Sequence, residues 1–450
     1  MDFSSEFFVG FLQKAREAIK KLKRIINLKD FIVILRKIST KLRNSLNLSY
    51  FIAKRISFKR TGGFTGTIHR IAVASVAIGI AISLISFMIL GGFQNEISNK
   101  VFSFTGHFQV MRFMSGNAFE ESPTTKKSDF FRDYASQDYI VHVQTFAHKA
   151  GLLKGDNEVE GVLMKGVGPE FDTLAFRNSI KKGRFIQFSD SSASNEVLLS
   201  AKIANKLLLD VGDRVTIYFV QDPPRFRRLE IVGLYETLLE NFDDKIIIGD
   251  IQTIRNLNGW TEDQVGGFEV FVKDSKKLEN YVDPLYEVLD YDLKLVKVTD
   301  KYMEIFDWLH LLNNNVYIFL GLILFVAAFN MVSILFILIM ERTQMIGILK
   351  ALGARNSQIR KIFVWNGIRI IGRGMLIGNA LALGFGWLQD KYRLIPLDPE
   401  NYYMSFVPIY WNWPVFIILN ILVLIVTSLV LFLPAMVISN IQPIKSIRFD

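Results

Sequence analysis

Residues 331–355 read MVSILFILIMERTQMIGILKALGAR, and this stretch decides the fold. An apolar run without a charge ends abruptly at Glu341 and Arg342. A short amphipathic segment follows at once and closes on Gly353, a residue that suits the position just after a helix end. The pattern predicts a membrane-spanning helix that leads directly into a helix at the membrane surface. Spacing alone leaves two interpretations of the surface helix: it transmits force to another component, or it is a turn held only by lipid.

Four apolar stretches are long enough to cross a bilayer core, which needs about 20 residues. They are Ile71–Leu90, Val316–Met340, roughly Ile368–Leu388, and Pro414–Ile438. Half of the 450 residues are hydrophobic, which is too apolar for one soluble domain and too polar for a wholly embedded chain. The first stretch begins too deep in the chain and is too long for a cleaved signal peptide. We therefore predict four transmembrane helices.

The distribution of charge predicts the orientation. Residues 1–60 carry 15 Lys or Arg against four Asp or Glu, and the loop Glu341–Lys361 carries five Lys or Arg against one Glu. The C-terminal tail is also basic. Because basic loops stay inside, these segments are predicted to be cytoplasmic, and residues 91–315 and about 390–412 extracytoplasmic. The chain has no cysteine, which excludes disulfides and cysteine-based metal sites.

The N-terminal arm repeats apolar residues at spacings of 4, 3, 4, 3 and 4 from Phe8 to Ile26. This spacing predicts an amphipathic helix, and the Lys and Arg between these positions give it a basic face. A helix lying on the anionic inner leaflet, a short coiled coil and a basic extension are the three interpretations. We predict that residues 1–60 form a basic amphipathic cytoplasmic arm.

The roughly 225 residues between the first two spans have an ordinary soluble composition and alternate strand and helix patterns. Pro223 and Pro224 predict that Gln221–Arg227 is a loop between two strands. Asp250 and Ser275 are the predicted N-caps of two helices. The alternation predicts an α+β domain of small β-α-β units. The predicted strands are Glu196–Ser200, Arg214–Val220, Arg228–Tyr235, Lys245–Ile248, Gly267–Lys273 and Leu293–Val298, and the predicted helices are Ala201–Leu209, Ile251–Leu257 and Lys276–Leu289.

The predicted fold class is an α-helical membrane protein with four transmembrane helices and a large α+β extracytoplasmic domain inserted between helices 1 and 2. The first and second spans are predicted to continue outward as stalks, the second one capped by Asp300. The predicted segments are the arm 1–60, transmembrane helix 1 and stalk 66–98, the extracytoplasmic domain 99–300, the stalk and transmembrane helix 2 301–340, the cytoplasmic helix and turn 341–361, transmembrane helix 3 362–390, the outer loop 391–412, transmembrane helix 4 413–438 and the cytoplasmic tail 439–450.

The sequence carries no motif for catalysis. The five histidines lack metal-ligand spacing, and both the phosphate-binding G-x-x-x-x-G-K-[ST] loop and Gly-x-Ser-x-Gly are missing. Asp243 and Asp244 could bind a cation, but paired acids far more often form a solvated turn. Arg369 and Arg373 in the third span are either functional intramembrane charges or side chains that snorkel to the headgroups. We predict a chain that is not an enzyme and that binds no metal and no cofactor.

Eight stretches in chain order resemble one family of membrane proteins. The stretches are LSYFIAKRI at 48–56, MILGGFQNEI at 88–97, GHFQV at 106–110, GVLMKGVGPEF at 161–171, VLLSAKIANKLLLDVGDRVTIY at 197–218, ERTQMIGILKALGA at 341–354, PLDPENYYMSFVPI at 396–409 and LPAMVISNIQPIKSIRF at 433–449. Through them the chain is similar, over about residues 48–450, to the lipoprotein-releasing permeases (LolC/LolE-like) of the FtsX/MacB permease superfamily.

The resemblance implies a permease of the bacterial inner membrane with a MacB-like periplasmic domain and cytoplasmic termini. It implies pairing with a second permease, identical or homologous, and with two copies of a separate ABC ATPase that holds ATP and Mg. It further implies extraction of outer-membrane lipoproteins by mechanotransmission rather than channel transport, in contact with membrane lipids and without nucleic acid. The implied ATPase-coupling residues are Glu341, Arg342, Thr343, Met345, Ile346, Gly347, Ile348, Leu349, Lys350, Leu352, Gly353 and Ala354.

One departure concerns the periplasmic lipoprotein carrier, which the LolC branch recruits through a long loop between two strands. The corresponding loop in this sequence is short, which implies a LolE-like chain or a homodimer that serves both roles. An FtsX-like signalling permease that regulates cell-wall hydrolases would have a smaller outer domain, and a MacB-type efflux permease usually carries a fused ATPase. The residues of the candidate carrier-contact loop are Gln221, Pro223, Pro224, Arg225, Phe226 and Arg227.

Overall fold

The computed structural model describes residues 64–113, 121–155, 158–189, 192–436 and 438. The predicted basic arm and the predicted cytoplasmic tail both lie outside the described residues. The described residues form two compact units. The helical unit holds the residues up to Ile85, then Ile318–Gly384, then those from Trp413 onward, and the outer unit holds Ser86–Tyr317 and Phe385–Asn412.

The two units are built from fourteen described helices and twelve described strands, apart from short 3-10 turns. The helices are α1 (Phe64–Thr105), α2 (Asp129–Asp133), α3 (Thr173–Phe176), α4 (Ala201–Lys206), α5 (Glu240–Asp243), α6 (Ile251–Asn258), α7 (Glu279–Val288), α8 (Val298–Lys301), α9 (Met303–Glu341), α10 (Thr343–Ala351), α11 (Asn356–Tyr392), α12 (Pro399–Tyr402), α13 (Trp413–Val430) and α14 (Phe432–Met436). The strands are β1 (Phe108–Arg112), β2 (Thr124–Thr125), β3 (Ile140–Lys154), β4 (Val159–Val167), β5 (Ile180–Gly183), β6 (Glu196–Ser200), β7 (Arg214–Phe219), β8 (Arg225–Tyr235), β9 (Ile246–Asp250), β10 (Gln264–Val265), β11 (Gly267–Val272) and β12 (Leu293–Lys297).

Four helical segments of the described chain are long and apolar enough to cross a membrane, as predicted. Three of them are α1, α9 and α11, and the fourth is Trp413–Met436. The helix α1 has 42 residues and α9 has 39, whereas a bilayer core takes about 20. Both helices are therefore long enough to continue well beyond the bilayer.

Small residues and polar pairs join the helices inside the helical unit. A Cβ on Gly378 of α11 would lie 2.5 Å from the carbonyl oxygen of Ala77 on α1, so these two helices meet backbone to backbone. Asn379 and Asn420 exchange two amide hydrogen bonds of 2.8 and 3.1 Å between α11 and α13. Each amide thereby satisfies the other in a region where lipid would offer no partner.

Arg373 of α11 lies in contact with the first span at one end. Its Nη1 atom is 3.4 Å from Nε2 of His69, the first residue of that span. A cation at the end of a span needs no intramembrane partner, because its long side chain can reach the headgroups. The position of Arg373 therefore favours snorkelling over a functional charge in the middle of the bilayer.

The outer unit is an α+β domain, as predicted, and it is built on one ten-stranded sheet. The strand order is β12-β1-β11-β3-β4-β9-β6-β8-β5, and β7 pairs with both β3 and β8. The neighbours β4–β9 and β6–β8 are parallel, while the other neighbours are antiparallel. The inward-facing side chains of the sheet and of the flanking helices form one continuous buried apolar cluster. Such burial is the main stabilising contribution for a domain surrounded by water.

The loop between α11 and α13 lies along α1 within the outer unit. The backbone amide of Tyr410 donates to the carbonyl of Met88 at 3.0 Å, and Nζ of Lys100 donates to the carbonyl of Tyr403 at 2.8 Å. A Cβ on Gly92 would lie 2.4 Å from the carbonyl oxygen of Pro408, so the close approach requires glycine there. The Gly91-Gly92 pair therefore does not end the helix but makes room for this loop.

The predicted helix starts are partly wrong. Asp250 caps α6 as predicted, by accepting a hydrogen bond from the amide of Gln252 at 2.9 Å. Asp274 replaces Ser275 as the cap of the next turn, because its carboxylate reaches the amide of Lys276 at 3.1 Å. Asp300 lies inside α8 and caps nothing, because Tyr302 interrupts the helix with φ −111° and ψ 44° before α9 begins.

Candidate functional site

The segment between the second and third spans forms the short helix α10, as the opening stretch of sequence predicts. Arg342 leaves the helical conformation with φ −110° and ψ 20°, and this break separates α9 from α10. The hydroxyl of Thr343 donates to the carbonyl of Met340 across the break. The helix of the second span therefore ends at Glu341, and α10 begins after a single non-helical residue.

The C-terminal end of α10 is a Schellman motif. Gly353 has φ +84°, its amide donates to the carbonyl of Lys350 at 3.0 Å, and the amide of Ala354 donates to that of Leu349 at 2.9 Å. Gln358 then accepts a hydrogen bond from the amide of Arg355 at 3.0 Å and starts α11. The N-cap of α11 is thus Arg355, because the Gln358 side chain reaches back to its amide.

One face of α10 is buried in the chain and the other is open. Ile346 is fully buried and Gly347 is buried beside it. Nζ of Lys350 donates to the carbonyl of Ile438 at 2.8 Å, which ties α10 to the residues after the last span. On the opposite face Ile348 is 48% exposed and Leu352 is 79% exposed, one turn apart. One face of α10 therefore packs against the rest of the chain, and the other exposes an apolar stripe formed by Ile348 and Leu352.

The predicted coupling residues divide into three groups by exposure. Ile346 and Gly347 are buried. The sequence did not reveal this, because periodicity cannot tell which apolar face packs inside. Gln344 and Ala351, which are not among the predicted residues, also lie exposed at helical spacing from Ile348. The exposed predicted residues are Glu341, Ile348, Leu352 and Gly353, and the half-buried ones are Arg342, Thr343, Met345, Leu349, Lys350 and Ala354.

The last three residues of the predicted carrier-contact loop belong to a strand. Arg225, Phe226 and Arg227 belong to β8 and pair in register with β7, so the turn shrinks to residues 220–224. The prolines interrupt strand pairing only at positions 223 and 224. The hydrogen-bonded pairing of β7 and β8 begins directly after them, where the ring centroids of Phe226 and Tyr218 lie 6.0 Å apart and the two side chains pack across the strands. The loop prediction is therefore wrong for its last three residues.

An exposed apolar row crosses the sheet at this hairpin. Tyr218 of β7 pairs with Phe226 of β8 on one side and with Leu152 of β3 on the other, and all three side chains are exposed. Arg225 donates to the carbonyls of Asn256 and Leu257 at 3.3 and 3.1 Å, which holds the hairpin against α6. Together these residues form a rigid surface with apolar side chains, as contact sites often have.

The described residues contain no group of three or more His, Asp or Glu side chains that could hold a metal ion. Asp243 is buried, and its carboxylate accepts hydrogen bonds from the amides of Thr237 and Leu238 and from the Thr237 hydroxyl. Burial raises the pKa of Asp243, and these hydrogen bonds oppose that shift. The interpretation of Asp243 as part of a solvated turn is wrong, because its carboxylate organises a buried turn instead.

Comparison with known proteins finds similarity in both parts of the chain. The family described as FtsX-like permease C-terminal matches residues 317–443, and the MacB-like periplasmic core domain matches residues 71–285. The chain is 24% identical over 339 residues to the lipoprotein-releasing system transmembrane protein LolC of Neisseria meningitidis serogroup B, covering 73% of this chain and 79% of that protein. It is 22% identical over 413 residues to LolE of Haemophilus influenzae, covering 87% of this chain and 95% of that protein.

These matches confirm the resemblance to LolC/LolE-like permeases of the FtsX/MacB superfamily. The helix α10 and its apolar stripe lie inside the FtsX-like match, and the β7–β8 hairpin lies inside the MacB-like match. Among solved structures, the periplasmic region of MacB from Actinobacillus actinomycetemcomitans matches 44% of this chain and 91% of that chain, with 15% identity and a TM-score of 0.32.

Proposed function

We propose that this chain is the transmembrane permease subunit of an ABC transporter that extracts lipoproteins from the bacterial inner membrane. The observation that carries the proposal is the apolar stripe of α10, which is anchored on one side and open on the other. Its location between the second and third spans, and the similarity to LolC and LolE, support the assignment.

In this proposal a separate ABC ATPase, in two copies, binds ATP and Mg and pushes on α10 when its dimer closes. Ile348 and Leu352 receive the push, because they are the large apolar side chains exposed on that helix. The hydrogen bond from Lys350 to Ile438 carries movement to the end of the last span, and α9 carries it along one uninterrupted helix. Packed helices pass displacement on because their interfaces are close to incompressible. The chain itself hydrolyses nothing.

We propose that the termini and α10 are cytoplasmic, while the outer unit is periplasmic. The support is the excess of Lys and Arg in residues 1–60 and 341–361, which the positive-inside rule assigns to the cytoplasm. The large domain then lies where lipoproteins leave the outer leaflet.

The β7–β8 hairpin is the proposed contact for a periplasmic lipoprotein carrier. Its turn is only five residues long, so it offers a flat surface rather than a projecting loop. A flat apolar row would bind a partner more weakly than a loop that inserts into a groove. This favours a dimer in which a second permease, identical or homologous, supplies the main carrier contact.

Reconstitution tests the proposal. The full-length chain would be purified from its native membrane with whatever ATPase and second permease accompany it, and placed in proteoliposomes with an acylated protein and a soluble carrier. The expected result is transfer of the acylated protein to the carrier that requires ATP. Export of a small amphiphile, or association with a cell-wall hydrolase in place of an acylated cargo, would contradict the proposal.

A further inference from the structure

A buried ion pair lies at the C-terminal end of α1. Lys165 on β4 is 1% exposed, Glu269 on β11 is 0% exposed, and Nζ of the lysine lies 2.7 Å from Oε1 of the glutamate. The same ammonium group donates to the carbonyl of Phe104, in the last turn of α1. The final carbonyls of a helix lack intrahelical partners and carry partial negative charge. Lys165 therefore fastens the end of α1 to the sheet.

The same network reaches the beginning of α9. Gln109 on β1 donates through Nε2 to Oε1 of Glu269 at 3.2 Å, and its Oε1 accepts from Nζ of Lys301 at 2.7 Å. Lys301 ends α8, two residues before α9 begins. Gln144 on β3 donates to the other carboxylate oxygen of Glu269 at 2.7 Å. Through Lys165 and Gln109, one carboxylate thus links the last turn of α1 to Lys301, which lies two residues before the start of α9.

Stability alone does not explain this arrangement. Burial lowers the pKa of Lys165, and the neighbouring Glu269 charge opposes that shift. An ion pair buried this deeply is often no more stabilising than apolar side chains of the same volume, because both charges lose their water. Hydrogen bonds of fixed length and direction do provide one property that apolar contacts lack: they resist sliding between the elements that they join.

We propose that Lys165 and Glu269 are positioning residues of a rigid joint that fixes the outer ends of α1 and α9 to the sheet. Movement of either helix then moves the sheet instead of being absorbed at the connection. The purpose of that movement rests on the proposed function, whereas the joint is a property of this chain alone.

Hydrogen exchange of the full-length chain in lipid nanodiscs tests the joint without any partner. The double variant Lys165→Met/Glu269→Gln removes both charges and keeps the side-chain volumes. We expect amide exchange in the last turn of α1 and the first turn of α9 to become about tenfold faster, while exchange in the central strands stays as in the wild type. Wild-type exchange at both helix ends, or faster exchange across the whole sheet, would overturn the proposal.

Two further variants keep the test decisive if the double variant folds poorly. Gln109→Leu cuts the link to Lys301 without changing a charge and leaves the Lys165–Phe104 bond in place, so exchange should become faster mainly at the start of α9 and less at the last turn of α1. Arg255→Met is the matched control, because Arg255 is a buried cation of the same unit whose hydrogen bonds go to Gln264 and Gln252. If Arg255→Met also accelerated amide exchange at the ends of α1 and α9, removal of any buried cation would have this effect, and the proposed joint would be contradicted.

Transport gives a separate readout. In the reconstituted complex, we expect the double variant to hydrolyse ATP at the wild-type rate while the ATP used per acylated protein released rises about fivefold, because the helices move without the sheet. An unchanged ratio, together with fast exchange at the helix ends, would mean that the joint transmits no force. Absence of release by the wild type itself would instead contradict the proposed function and leave the exchange result standing.

Discussion

The helical unit and the outer unit hold their parts together in different ways. The outer unit surrounds its sheet with one continuous cluster of buried apolar side chains. The helical unit leaves large apolar side chains such as Phe325 and Leu376 exposed and makes its close contacts through glycine and paired amides. Water drives apolar groups together, whereas lipid solvates them as well as protein does, so packing and polar pairs remain. Burial of the same type of side chain therefore contributes differently to the stability of each unit.

The largest expected effect compares two phenylalanines. Phe268 in the outer unit is buried, and its ring stacks on that of Phe131 with centroids 4.9 Å apart. Phe268→Ala should lower the free energy of unfolding of the outer unit by about 3–5 kcal/mol, because it leaves a cavity. Phe329→Ala on α9 is the control, since Phe329 is exposed and faces lipid in our account. Denaturant unfolding in detergent micelles measures the stability of both variants. Equal losses of unfolding free energy would contradict the different roles of apolar burial in the two units.

A smaller effect is expected from glycines of α11. Gly378→Leu must push α11 away from α1, because a Cβ there would already lie 2.5 Å from the carbonyl oxygen of Ala77. We expect a loss of about 1–3 kcal/mol in the stability of the helical unit. Gly384→Leu in the same helix is the matched control, because no atom lies within 4 Å of its Cβ position. Thermal unfolding in nanodiscs separates the two, and similar midpoints for both variants would contradict close packing at Gly378.

The four spans and the short helix α10 could be predicted because their signals are local. A run of about 20 apolar residues has few alternatives, and Gly353 adopts the positive φ that a helix end requires. The hairpin was misjudged because Phe226 packs on Tyr218, a contact between strands that propensity does not include. Asp243 and Lys165 were beyond prediction for the same reason, since their burial depends on elements distant in the sequence.

The candidate site shows the same division. Amphipathicity identified α10, but the apolar residues on its two faces look alike in the sequence. Tertiary packing buries Ile346 and leaves Ile348 and Leu352 open. The joint around Glu269 carries no sequence motif, because its members lie on four strands and at the ends of two helices.

The most direct test of the account is the double variant Ile348→Asp/Leu352→Asp in the reconstituted complex, measured as lipoprotein released per unit time and as ATPase retained on the permease. Two charges on the apolar stripe should lower release by more than about tenfold and weaken ATPase retention, because a hot spot of an interface is lost. Leu174→Asp/Leu208→Asp is the matched control, since both leucines are exposed in the outer unit. We expect wild-type release from the complex that carries the control substitutions and not from the complex that carries the α10 substitutions. Wild-type release and full ATPase retention by the α10 variant would contradict it.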